Sequence, residues 1–153
     1  MLRAVAERVA ELDLADLIAV GTDTDRGTAA AASKLARTVM RSATGPRAIR
    51  TKARYELLLQ ATRDPDLAEA FRQNSERFAT LHREIVVRLQ PAGESADADL
   101  VDEQTFATIS FINGVMIGFA MGNRTVESAE QLDRMLSGIV SGIAATSSRT
   151  PSR

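Results

Sequence analysis

LVDEQTFATISFINGVMIGFAMG, residues 100–122, reads as a single helix with more apolar surface than one small core can use. Asp99, Asp102 and Glu103 stand where a helix N-terminus favours negative charge. From Phe106 to Met121 there is no charged residue. Phe106, Ile109, Ile112, Met116 and Phe119 fall toward one side, while Ala107, Phe111, Gly114, Gly118 and Gly122 fall roughly opposite. A helix that is apolar nearly all round is covered on two sides. One cover is the domain's own core, and for the other the pattern predicts a second subunit. The uncharged run falls short of the ~20 residues of a membrane span, and Ser110 and Asn113 interrupt it.

The helix after it has the same excess. Ser128 to Gln131 has capping-box spacing, with each side chain expected on the other's backbone N–H. Leu132, Met135, Leu136, Ile139, Val140 and Ile143 then trace a wide apolar face. Gly114, Gly118 and Gly122 on one helix, and Gly138 and Gly142 on the other, each cost roughly 1 kcal/mol of helix propensity relative to Ala. Close approach of another backbone offsets such a cost. Within one chain the two helices could simply pack on each other. The excess of apolar face favours a homodimer in which both helices, contributed twice, form a four-helix bundle. Its expected interface is Phe111, Gly114, Gly118, Gly122, Leu136, Ile139 and Ile143.

Toward the N-terminus the reading stays helical. Leu2, Val5, Val9 and Leu12 share a face, and Leu14, Leu17 and Ile18 continue it after an expected break at Asp13. GTDTDRG, 21–27, is a loop by composition. An Ala-rich helix from about Thr28 to Ala43 carries Leu35, Val39 and Met40, and Gly45-Pro46 ends it. A helix from about Arg47 to Thr62 is basic in its first half and apolar in its second. Asp64-Pro65 restarts the chain as N-cap and first helical residue. The helix that follows, to about Leu89, spaces Phe71, Phe78, Leu81 and Ile85 along it. Residues 91–99 are a loop, and 147–153 are expected to be a disordered tail. The sum is all-α: about six helices in an antiparallel bundle, one domain over 1–146.

Composition agrees. The 153 residues carry a formal net charge of −1 and no cysteine. The charge shows no bias toward nucleic acid or anionic membrane. Lack of cysteine removes disulfides and thiolate metal sites and fits a cytoplasmic setting. No secretory leader is visible in the charged N-terminal helix.

Catalytic chemistry finds no carrier. There is no Gly-rich phosphate loop, no G-x-S-x-G motif and no carboxylate pair at ligand spacing. His82, the chain's single histidine, has no second ligand in pattern, so neither a metal nor a cofactor is expected. Arg47, Arg50, Lys52 and Arg54 could touch phosphate, but such a run is more often a solvated face or a set of intramolecular ion pairs. Met40, Tyr55, Phe71, Phe78, Phe106 and Met116, with His82 as a polar contact, are suited equally to a filled core and to an apolar small-molecule cavity.

The segment ARYELLLQATRDPDLAEAF, Ala53 to Phe71, resembles the C-terminal domain of tetracycline-repressor-like (TetR-family) transcriptional regulators, in which a Tyr-bearing helix precedes an Asp-Pro restart. LRAVAERVAEL at the start is similar to that family's linker helix. Ile112, Gly114, Gly118 and Leu136 resemble, in character, its dimer-forming pair. The resemblance implies an effector-sensing, homodimerising regulatory domain, not an enzyme. Its ligand would be a small, mostly apolar effector held by the seven residues just named. Nothing in the sequence corresponds to the family's N-terminal helix-turn-helix, so the resemblance implies DNA binding only through such a separate domain. The alternative is a ligand-free helical dimerisation module.

Overall fold

The computed structural model describes residues 1–22, 28–90 and 97–148, and their side chains except at 22 and 28–31. The loops expected near 23–27 and 91–96, and the tail from 149, lie outside the described residues. Six helices follow in order: α1 Leu2–Thr22, α2 Thr28–Arg41, α3 Gly45–Ala61, α4 Pro65–Arg88, α5 Ala98–Ala120 and α6 Ala129–Ser147. Among the described residues there is no strand, so the fold is all-α, as the periodicity predicts.

Local chemistry sets the helix ends. Asp64 caps α4 by accepting the Leu67 N–H at 3.1 Å, with Pro65 in the first turn. Ser128 Oγ accepts the Gln131 N–H at 3.1 Å, but Gln131 does not return the bond to Ser128; its Oε1 takes the Glu127 N–H at 2.9 Å instead. At the end of α5, the Asn123 N–H reaches Gly118 O at 2.8 Å and the Gly122 N–H reaches Phe119 O at 3.1 Å. With Gly122 at φ +83°, this is a Schellman closure, which needs a residue able to adopt the left-handed region.

Helix α1 does not break at Asp13. Its buried stripe is Ala6, Val9, Leu14, Leu17 and Val20, with Asp13 nearly enclosed beside it. Leu2 and Val5, expected on the inner face, are exposed. Asp13 is tolerated mid-helix because α3 supplies its partners, described below.

Two hydrophobic clusters hold the bundle. The larger joins Leu17 and Val20 of α1, Leu35 and Val39 of α2, Ile85 of α4, Ile112, Val115, Met116 and Phe119 of α5, and Leu132 and Leu136 of α6. The smaller joins Ala6 and Val9 of α1 to Leu57 of α3 and Leu67 of α4, with Phe71 against it. Helix α4 packs on α1, α3 and α5, and α6 packs on α2 and α5. Fully buried Gln104 ties the last three helices together: its Nε2 donates to Val140 O at 2.8 Å, and its Oε1 accepts from Gln90 Nε2 at 2.8 Å. Buried amides of this kind are tolerated only when satisfied.

Candidate functional site

The basic half of α3 turns inward. Arg47, Arg50 and Arg54 follow one another at intervals of three and four, which places them on one helix face. That face meets α1 at Asp13 and Asp16. Arg47 Nη2 lies 2.9 Å from Asp16 Oδ1, Arg50 also pairs with Asp16, and Arg54 Nη2 lies 2.9 Å from Asp13 Oδ2. Arg50 Nε is 3.1 Å from Asp13 Oδ1, close enough for charge attraction but off the line a hydrogen bond needs. The side chains of Asp13, Arg50 and Arg54 are only 12%, 14% and 19% exposed. Arg47, Arg50 and Arg54 therefore form a set of intramolecular ion pairs, while Lys52 of the same run is exposed.

Among the described residues this network joins three guanidiniums to two carboxylates. Burial pushes the Asp13 carboxyl above its ordinary value, against the pull of Arg54 and Arg50. The Asp16 carboxyl is held below its ordinary value, chiefly by the hydrogen bond from Arg47. Arg54 also leans on α5. Its Nη1 is 4.0 Å from Met116 Sδ, and its guanidinium lies 5.8 Å from the Tyr55 ring centroid. Tyr55 closes the corner by donating to Asn113 O at 3.1 Å.

A second polar point lies between α4 and α5. The fully buried His82 sits with Nε2 2.9 Å from Thr108 Oγ1 and stacks on Phe78 at 6.2 Å between centroids. The Thr108 hydroxyl also lies 2.8 Å from Gln104 O and 3.1 Å from Thr105 O; with its hydrogen on either carbonyl, its oxygen accepts from His82 Nε2–H. His82 Nδ1 is buried with no hydrogen-bond partner among the described residues. Burial alone lowers this imidazole to about 4, so it is neutral at pH 7.

The outer face of α5 and α6 exposes large apolar side chains among small and polar ones such as Ser110, Asn113, Arg134 and Ser141. Phe106 is 75% exposed and Met121 72%, and Ile117 and Met135 also reach solvent. A Cβ added at Gly114, Gly138 or Gly142 would meet nothing within 4 Å. Gly118 differs, since its Cβ would approach Asn123 O at 3.2 Å. The glycine there makes room for the chain's own turn.

Of the residues singled out for a ligand, Met40, Tyr55, Phe78 and Met116 gather around the larger cluster, and His82 touches Phe78. Phe71 belongs to the smaller cluster. Phe106 faces outward, because the exposed arc of α5 runs between the two faces expected from spacing and takes Phe106 from one and Gly114 from the other. Of the residues singled out for a dimer, Ile139 and Ile143 are half-buried, and Phe111 packs against the larger cluster. Leu136 is fully enclosed in the subunit's own core. Gly118 and Gly122 serve the α5 terminus. Asp13, Asp16 and Gln104 are polar members of the interior that apolar spacing does not mark as a site. The first two were legible as acids three apart on a helix whose neighbour carries arginines at matching spacing.

A shallow groove of about 690 Å³ opens between the first turns of α1 and the end of α3, lined by Leu2, Val5, Leu57, Leu59 and Arg63 among others. None of the seven expected ligand residues lines it. No helix among the described residues is long and apolar enough to cross a membrane, and no group of three or more His, Cys, Asp or Glu among them could hold a metal.

Residues 26–142 match a family described as tetracyclin repressor-like, C-terminal domain. The match takes in α2 to α5 and most of α6, and leaves α1 outside. No curated protein and no solved structure matches the chain.

Proposed function

The chain belongs to the tetracyclin repressor-like C-terminal domain family, a family of regulatory ligand-binding and dimerisation domains, and on that footing we propose that it is a cytoplasmic, homodimerising effector sensor of a transcriptional regulator. The observation that carries the dimer is the outer face of α5 and α6. Gly114, Gly138 and Gly142 each forgo roughly 1 kcal/mol of helix propensity relative to Ala, and no neighbour in their own subunit needs the space. A second copy approaching closely supplies the missing reason. Phe106, Ile117, Met121 and Met135 supply the apolar area such a contact buries.

The sensor half is supported by buried polar atoms that make no hydrogen bond among the described residues: His82 Nδ1, Arg50 Nε and Arg54 Nε. Two of them sit beside residues singled out for an effector site, His82 against Phe78 and Arg54 against Tyr55 and Met116. An effector bound there would touch α3, α4 and α5, and α1 is ion-paired to the same face of α3. Its differential affinity for two positions of α1 is then the signal, which a DNA-reading domain on the N-terminal side would receive. A thermal-shift screen against apolar and amphipathic metabolites tests this half. At least one compound should raise the melting temperature of the intact chain and lose its effect when Phe78→Ala and Met116→Ala are combined. A ligand-free dimer, silent across the screen, would leave only the dimerisation module.

A further inference from the structure

We infer that the effector is a small amphipathic monocarboxylate whose anionic end is taken by Arg54 and Arg50 between α1, α3 and α5. The inference rests on the sensor reading above and names its ligand class.

Arg54 and Arg50 hold donors that no acceptor among the described residues satisfies. A guanidinium carries five N–H groups and no acceptor. Arg54 spends Nη2 on Asp13, but its Nε has no hydrogen-bond partner among the described residues and its Nη1 faces a thioether sulfur 4.0 Å away, a weak acceptor. Arg50 Nε is likewise unpaired in hydrogen-bond terms. These are buried cationic donors, and leaving such groups unmade is costly. The network also holds one more guanidinium than carboxylate among the described residues. One added carboxylate would neutralise it and accept the Arg54 Nε–H in a charge-assisted hydrogen bond.

The surroundings set the rest of the molecule. Met116 is unbranched and flexible and can yield its place beside Arg54. Tyr55, against the larger hydrophobic cluster, offers an aromatic face next to the same guanidinium. An apolar body lying along Tyr55 and Met116 with its carboxylate at Arg54 therefore meets matching chemistry at both ends. Because Asp13 already holds Arg54 and Arg50, the ligand would compete for the contacts that tie α1 to α3.

Tyr55 is the chain's one tyrosine, and there is no tryptophan, so tyrosine emission from the intact protein reports on this site without a label. The experiment titrates acetate, benzoate and octanoate, and the neutral counterparts benzyl alcohol and 1-octanol, following Tyr55 emission and the melting temperature. Benzoate or octanoate should bind about tenfold or more tighter than its neutral counterpart, the usual worth of a charge-assisted hydrogen bond. Acetate, lacking an apolar body, should be weak. The preference should vanish in Arg54→Gln, and in the charge-balanced pair Asp13→Asn with Arg54→Gln, which removes one charge of each sign and guards against misfolding of the single variant. Neutral compounds binding as tightly as the acids would overturn the inference and leave the sensor reading standing. No response to any acid or alcohol would overturn the inference and count against the sensor reading as well.

Discussion

Acidification from pH 7 to pH 5 should destabilise the protein by about 2 kcal/mol through His82 alone. The imidazole titrates at 6.5 when free and at about 4 in the fold, because burial penalises the cation. Its folded value is depressed, so between these two values the unfolded chain binds the extra proton, and stability falls as pH falls. At about 1.4 kcal/mol per pH unit the whole interval is worth about 3 kcal/mol, of which about 2 kcal/mol is lost by pH 5. His82 is the chain's single histidine, so no other side chain has an ordinary value in this window. Glu69, held at about 2, changes only at lower pH. Asp13, which burial pushes up, acts with the opposite sign by taking its proton more readily when folded. The assay is urea denaturation at pH 7 and pH 5 for the wild type and His82→Gln, whose amide can still donate to Thr108. Subtracting the variant removes every other titrating group. An equal loss in both proteins would refute the buried neutral imidazole.

Three further outcomes follow from the packing. Leu136→Ala should cost about 2–5 kcal/mol of stability in denaturant melts while leaving the association constant nearly unchanged, because Leu136 lies in the subunit's core; a loss of association without a loss of stability would place it at the interface instead. Asp13→Ala should cost about 3 kcal/mol, since it strands Arg54 and half-strands Arg50, and hydrogen exchange should quicken first in α1. Gly122→Ala should cost about 1–2 kcal/mol through its positive φ, read as a fall in melting temperature; an unchanged melt would contradict the Schellman closure.

Much of the fold was legible because its signals are local. Asp64-Pro65 and Ser128-x-x-Gln131 mark helix starts by side chains that reach only three residues, and both starts lie where those residues put them. The apolar periodicity of α4 and α6 locates Ile85, Leu132 and Val140 in the core. At Asp13 a carboxylate on a helix looks like a break until its partners are known, and those partners lie 37 and 41 residues further on, at Arg50 and Arg54. The same separation hides the Gln104–Val140 bond across α5 and α6.

The site was less legible for a related reason. On α5 nearly every position from Phe106 to Met121 is apolar or small, so spacing alone gives no contrast to set the rotation of the helix. The small side chains and buried hydroxyls settle it: Thr105 and Thr108 face inward, each donating to a carbonyl of the preceding turn, and Phe106 is turned out. Glycine was ambiguous in the same way. Gly118 and Gly122 serve the end of their own helix, whereas Gly114, Gly138 and Gly142 open outward, and only the surrounding atoms distinguish the two uses.

In the proposed regulatory dimer the outer face of α5 and α6 joins two copies, and sedimentation equilibrium of the intact chain is the measurement that decides it. The expected particle has twice the 16.5 kDa chain mass at micromolar concentration, and Phe106→Glu or Gly142→Leu should reduce it to the single-chain mass with helix content retained. A wild-type chain of single mass at every concentration, or a dimer indifferent to both substitutions, would contradict it.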